Sequence, residues 1–217
     1  MLEVDSVAAK QVGDYRVLYV MATRAEYLDA LASRITPLIC HVGPVEAALN
    51  LGHCLARHKD IDLVVSLGSA GSARLEQAEV YQVSKVSYRD MDASPLGFAK
   101  GETPFLDFPG KVDLGNRIAG LRQASISTGA NIVAGDAYNS ISADMVDMET
   151  WSIMRACYQF NIPMIGLRGI SDGAHPVEEY SDWTRYLHVV DHRLAEAVDR
   201  LEAALLEGEL KPTLTTV

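Results

Sequence analysis

Apolar residues recur along this chain in two distinct periods. The runs Val17-Leu18-Tyr19-Val20-Met21-Ala22, Leu38-Ile39-Cys40-His41-Val42, Leu63-Val64-Val65-Ser66-Leu67 and Met164-Ile165-Gly166-Leu167 are short and rich in branched residues. Their continuity predicts strands buried on both faces. Between or after them, apolar positions fall at helical spacing over 24–34, 44–58, 147–160 and 183–206. This alternation predicts an α/β fold, with a parallel-rich sheet between helices in three layers. Val80 to Tyr88 alternates as a further strand. Residues 92–113, broken by prolines and glycines near aromatics, predict a long functional loop. No repeat or composition break marks a linker, so residues 1–217 are expected to form one domain, with a tail over 208–217 that frays.

Composition narrows the class. Hydrophobic residues make up 48% of the 217 positions, enough apolar surface to support a core. Nineteen Lys+Arg against 29 Asp+Glu give a formal net charge of -10, a field that disfavours nucleic acid and anionic membranes as partners. No apolar run reaches the ~18 residues of a membrane span, and the first residues carry acids where a secretory signal places bases, so a soluble, cytoplasmic protein is expected. Cys40, Cys54 and Cys157 are odd in number and lack CxxC spacing, which predicts buried thiols. The six histidines form no HExxH or H-x-H cluster, so neither a metal nor another cofactor is assigned.

In open α/β sheets, ligands gather where strands hand over to helices. Polar segments follow apolar runs at Ala22-Thr23-Arg24-Ala25-Glu26, Gly68-Ser69-Ala70-Gly71, Val146-Asp147-Met148-Glu149 and Gly169-Ile170-Ser171-Asp172, while Gly135-Asp136-Ala137-Tyr138-Asn139 sets an aromatic beside a flexible turn. In this order the segments resemble the nucleoside phosphorylase/nucleosidase superfamily, and most closely its 5′-methylthioadenosine/S-adenosylhomocysteine nucleosidases. The most specific stretch is Val146-Asp147-Met148-Glu149, then Phe160-Asn161-Ile162-Pro163, then Arg168-Gly169-Ile170-Ser171-Asp172, which resembles the family's V-x-M-E, F-x-V/I-P and R-x-I-S-D motifs. The resemblance implies a central twisted mixed sheet, partly closed into a barrel and flanked by helices. It also implies a homodimer acting on a small 5′-modified adenosine.

Hydrolysis of an N-glycosidic bond needs an acid for the leaving base, a base for water and a clamp for the sugar. The resemblance makes Asp172 the acid, oriented by Ser171; the plainer reading of both is helix capping. It makes Glu149 the acceptor of the paired ribose hydroxyls, with Met148 beside the sugar, although a first-turn Glu and a core Met are ordinary features. Glu26 matches the water-activating carboxylate, and Arg24 is its alternative, surface partner. Ser69 lies in the turn that approaches the sugar and water. Tyr138 matches the base-stacking aromatic, with the Asn139 backbone reading the purine edge, although taken alone it reads equally as an exposed or core Tyr. Trp183 closes the pocket or packs into the core. Phe98, Pro104 and Phe105 match the segment that lines the 5′-substituent pocket of a partner subunit.

Two alternatives stay within the superfamily. A phosphorolytic enzyme needs arginines or backbone donors for phosphate, yet Ser66 stands where hexameric phosphorylases carry a phosphate-binding Arg; Arg24, Arg74 and Arg89 keep this possibility open. A nucleosidase for a futalosine-like carboxylate needs a basic residue in the pocket. From another class, a non-catalytic nucleoside sensor would not need Asp172, Glu149 and Glu26 together.

Overall fold

The computed structural model describes residues 8–173 and 183–216. The strands are β1 (Lys10–Val12), β2 (Tyr15–Met21), β3 (Leu38–Ile39), β4 (Leu63–Gly71), β5 (Val80–Tyr88), β6 (Lys111–Asp113), β7 (Gln123–Thr128), β8 (Met145–Asp147) and β9 (Met164–Asp172). The helices are α1 (Asp29–Ala32), α2 (Pro44–Arg57), α3 (Thr150–Gln159) and α4 (Leu187–Leu206). One 9-stranded mixed sheet holds them together. Within it β4, β9, β5, β7 and β8 pair in a closed ring: β9 lies parallel to β4 and antiparallel to β5, and β8 returns antiparallel to β4 at Gly71–Val146. The predicted partly closed mixed barrel is therefore present, with β2 extending it parallel to β4.

Period-two alternation divides the core into two layers. From β2, Leu18 and Val20 face the side covered by α2 and α3, with Leu51, Cys54, Ile153 and Cys157. Val17, Tyr19 and Met21 face the other side, against Val190, Leu194, Val198 and Leu201 of α4. All three cysteines are buried free thiols. Among the described residues, no helix is long and apolar enough to cross a membrane.

The helix expected over 24–34 is instead split into a 3-10 turn, Arg24–Glu26, and the single turn α1. Its cause is Asp191 of α4, buried to 2% exposure, whose carboxylate accepts the Leu28, Ala30 and Leu31 amides at 3.1, 2.8 and 3.3 Å. The chain is held from outside, which leaves Glu26 free to turn inward. The helix expected from 147 starts at Thr150, because Asp147 ends β8 and its Oδ2 accepts the Thr150 amide at 2.9 Å. The strand expected over 38–42 keeps only Leu38–Ile39; His41 (φ 66°) and Gly43 (φ 98°) then swing the chain into α2.

Past Gly208 there is no regular element, yet Leu210 is buried and Thr213 is fixed by Asn116. The Asn116 amide donates to the Thr213 carbonyl at 3.0 Å and its Oδ1 accepts the Thr213 amide at 2.8 Å. Replacing Asn116 with alanine removes both bonds and is expected to cost about 1–3 kcal/mol. A thermal or urea melt measures it, and an unchanged midpoint would show that the tail contributes nothing to the core.

Candidate active site

The carboxyl ends of the strands surround a cavity of about 290 Å³. Ala22, Thr23 and Glu26 follow β2, Val42 follows β3, Ser69 to Gly71 end β4, and Arg89 follows β5. Asn131 to Val133 follow β7, Asp147 to Glu149 end or follow β8, and Asp172 ends β9. Trp183 completes the wall. Glu26, Glu149 and Asp172, far apart in sequence, thus converge on one space.

Glu26 is 7% exposed and points to the end of β4, where its Oε1 accepts the Ser69 amide at 2.8 Å and the Ser69 hydroxyl. Burial pushes its pKa up, against the two Ser69 hydrogen bonds and the Arg168 charge. Arg24 is exposed, so Glu26 belongs to the cavity and not to a surface pair. Trp183 donates its indole N–H to the same Ser69 hydroxyl at 3.0 Å, lining the cavity instead of entering the core.

Glu149 sits at the N-cap position of α3 but makes no capping bond with its side chain. Asp147 holds the helix start in its place, and the Glu149 Oε1 accepts the Gly43 amide at 2.7 Å. Burial, and then the Asp147 charge, push the Glu149 carboxyl up to about 8. Met148 is half-buried on the cavity wall.

Asp172 has its pKa raised by burial, and the Ser171 hydroxyl, donating to Oδ2 at 2.7 Å, opposes the rise. Tyr138 and Asn139 do not line the cavity. Asn139 is exposed, and the Tyr138 ring packs behind the wall with Val133, Ile141, Ala143 and Val146. Ile132 and Val133 take the lining positions instead. Phe98, Pro104 and Phe105 are also outside this chain's cavity: Phe98 and Phe105 meet edge-to-face at 5.5 Å in the 92–110 loop, and Phe105 is 96% exposed.

Three arginines whose contacts the sequence did not disclose organise the surroundings. Arg168, 2% exposed inside apolar β9, pairs with Asp147 at 3.1 Å and donates to the Ser66 carbonyl, the Ser66 hydroxyl and Thr150 Oγ1. A charged residue in a buried strand was the available sign, since such a charge needs a partner. Arg89 donates to the carbonyls of Ser127 at the end of β7, Asp147 at the end of β8, and Gly129 and Asn131 in the loop after β7, and to Asn131 Oδ1, so all five of its donors are engaged and tie that loop to the two strand ends. Arg74 donates to the carbonyls of residues 141–143. Sharing Glu26, Ser69 and Glu149 with the main cavity, a small polar space of about 10 Å³ is also bordered by Ser66, Gly68 and Arg168.

Residues 11–205 match the family model of the phosphorylase superfamily. The chain belongs to that superfamily. Within it, the chain is similar to a 5′-methylthioadenosine/S-adenosylhomocysteine nucleosidase of Haemophilus influenzae (strain PittEE), 32% identical over 151 residues, a stretch that covers 61% of this chain and 65% of the relative. Its fold is similar to that of another such nucleosidase, from Colwellia psychrerythraea 34H and solved in complex with adenine: TM-score 0.74, 21% identity, 92% of this chain and 97% of that one. It is also similar to a futalosine hydrolase mutant of Helicobacter pylori, with TM-score 0.73 and 18% identity over 85% of this chain and 97% of that one.

Proposed function

We propose that this protein hydrolyses the N-glycosidic bond of 5′-methylthioadenosine, S-adenosylhomocysteine or both, releasing adenine and the 5-thio-substituted ribose. The observation that carries the reading is the gathering of Glu26, Glu149 and Asp172 on one cavity, with Arg89 of its wall and the neighbouring buried Arg168 already engaged. In the reaction, protonated Asp172 donates to purine N7 as the bond between the sugar carbon and the base breaks and its electrons pass to the base. The sugar carbon becomes cation-like, and the acidic cavity stabilises it. Glu149 accepts the ribose hydroxyls, and Met148 packs beside the sugar. A positive sugar next to Glu149 opposes the desolvation and the Asp147 repulsion that raise its pKa.

The adjoining small space suits one water molecule, given its size and the polar groups around it. There Glu26 would take the water proton as the oxygen bonds to the sugar carbon. Phe98, Pro104 and Phe105 are proposed to complete the 5′ pocket of a second subunit in a homodimer. A solvent-exposed Phe105 with exposed Leu96 and Leu106 nearby fits a surface that another copy covers.

Hydrolysis is favoured over phosphorolysis because a phosphate needs free donors. Arg168 and Arg89 spend theirs within the protein, and Ser66 serves as an anchor for Arg168. The futalosine-like alternative fares no better among the described residues, where Arg89 is the basic residue on the cavity wall and has all five donors engaged within the protein. Purified protein given methylthioadenosine is expected to release adenine at the same rate with and without inorganic phosphate. Strict dependence on phosphate would reassign it as a phosphorylase.

A further inference from the structure

Three buried side-chain polar atoms lack a hydrogen-bond partner among the described residues: Arg16 Nε, Arg155 Nη1 and the Tyr138 hydroxyl. The first two belong to guanidinium groups engaged elsewhere, Arg16 with Asp60 and Arg155 over the Phe108 ring. The Tyr138 hydroxyl is an entire polar function, closed off from water and unpaired. Phenylalanine would fill the apolar cluster around that ring without desolvating a hydroxyl, so packing does not account for the oxygen.

Its surroundings do. Gly71 lacks a Cβ, and the position one would occupy lies 2.6 Å from Asp172 Oδ1 and closer still to the Tyr138 hydroxyl. Both oxygens therefore border the same small space, which a side chain at 71 would fill. Asp172 Oδ2 is already served by the Ser171 hydroxyl, which leaves Oδ1 as the oxygen that borders this space with Tyr138.

We propose that the Tyr138 hydroxyl is a positioning group for Asp172, donating a hydrogen bond to Oδ1 once that carboxyl has given its proton to the leaving base. The inference rests on the nucleosidase reading above. Before transfer, Asp172 is neutral and gains little from a second donor; afterwards it is a carboxylate between two hydroxyls. The bond thus strengthens as the reaction proceeds, which is the condition for raising turnover. The phenol itself keeps its proton, since burial and the Asp172 charge both raise its pKa, with Arg89 opposing. The other described charges on this cavity are Glu26, Asp147 and Glu149.

The test is Tyr138→Phe, with Tyr138→Leu to separate hydroxyl from ring. A donor to the ionised form lowers the pKa of Asp172, so its loss lets Asp172 hold its proton to higher pH. The Phe variant is expected to lose about tenfold in kcat with KM little changed, while the alkaline limb of the pH profile moves up by about one unit. It should melt no lower than the wild type. Tyr138→Leu should lose stability as well. An active wild type whose Phe variant keeps both kcat and the alkaline limb overturns the proposal.

A second readout is independent of turnover: the carboxyl 13C titration of Asp172, assigned by its loss in Asp172→Asn. A higher midpoint in Tyr138→Phe supports the contact, and an unchanged one overturns it. Absence of nucleosidase activity in the wild type would instead count against the function, leaving this titration to decide the contact.

Discussion

Asp172→Asn is expected to lower kcat by about 10²–10⁴-fold, the range for removing a positioned general acid. Asparagine keeps the shape of the side chain and can still accept the Ser171 hydroxyl, which now reaches Oδ2 at 2.7 Å. What it lacks is a proton to give. KM should change little, because the lost interaction forms as the base departs and not on binding. Stability should hold or rise, since burial already disfavours the ionised carboxyl. In the wild type the acid works only while protonated, so activity falls as pH rises through its raised pKa. The asparagine variant should have no such limb in its residual activity. Steady-state kinetics over pH with adenine release as the readout makes the comparison; turnover near the wild-type value would remove Asp172 from the chemistry.

The sheet was legible because burial on both faces leaves a simple trace. β2, β4 and β9 all lie within or extend the apolar runs read as strands. Helix starts were harder, since two of them are set by carboxylates and not by the spacing of apolar positions. Asp191 holds the first turn of α1 from 160 residues away, and Asp147 serves as both strand end and helix anchor. The acids that reach the cavity could be read from motif order, because each lies at or within a few residues of the carboxyl end of a strand. Their supports could not: the five acceptors of Arg89 include four main-chain carbonyls, and a carbonyl has no sequence signature. Tyr138 shows the limit most plainly. An aromatic beside a glycine turn reads equally as a stacking face or as an exposed or core side chain, and only the fold brings its hydroxyl beside Gly71 and close to Asp172.

Glu26→Gln should show opposite effects on turnover and stability. Glutamine can still accept the Ser69 amide through its carbonyl oxygen, so the end of β4 keeps its anchor. It cannot take a proton from water, and the expected loss in kcat is about 10²–10⁴-fold. The stability effect has a definite sign. Burial raises the folded-state pKa of Glu26 above the unfolded value, so the native protein retains a proton that the unfolded chain releases. Wild-type stability from this group therefore falls as pH rises from the unfolded pKa to the raised folded one, and stays reduced above it. The variant has no proton to lose. Its melting temperature relative to wild type should climb across that window and level off beyond it, with a shift of about 2–4 °C for each kcal/mol. Paired thermal melts from pH 4 to pH 9 read this directly. A variant less stable at every pH, or one with wild-type turnover, would mean that the Glu26 carboxylate serves to hold Ser69 and not to activate water.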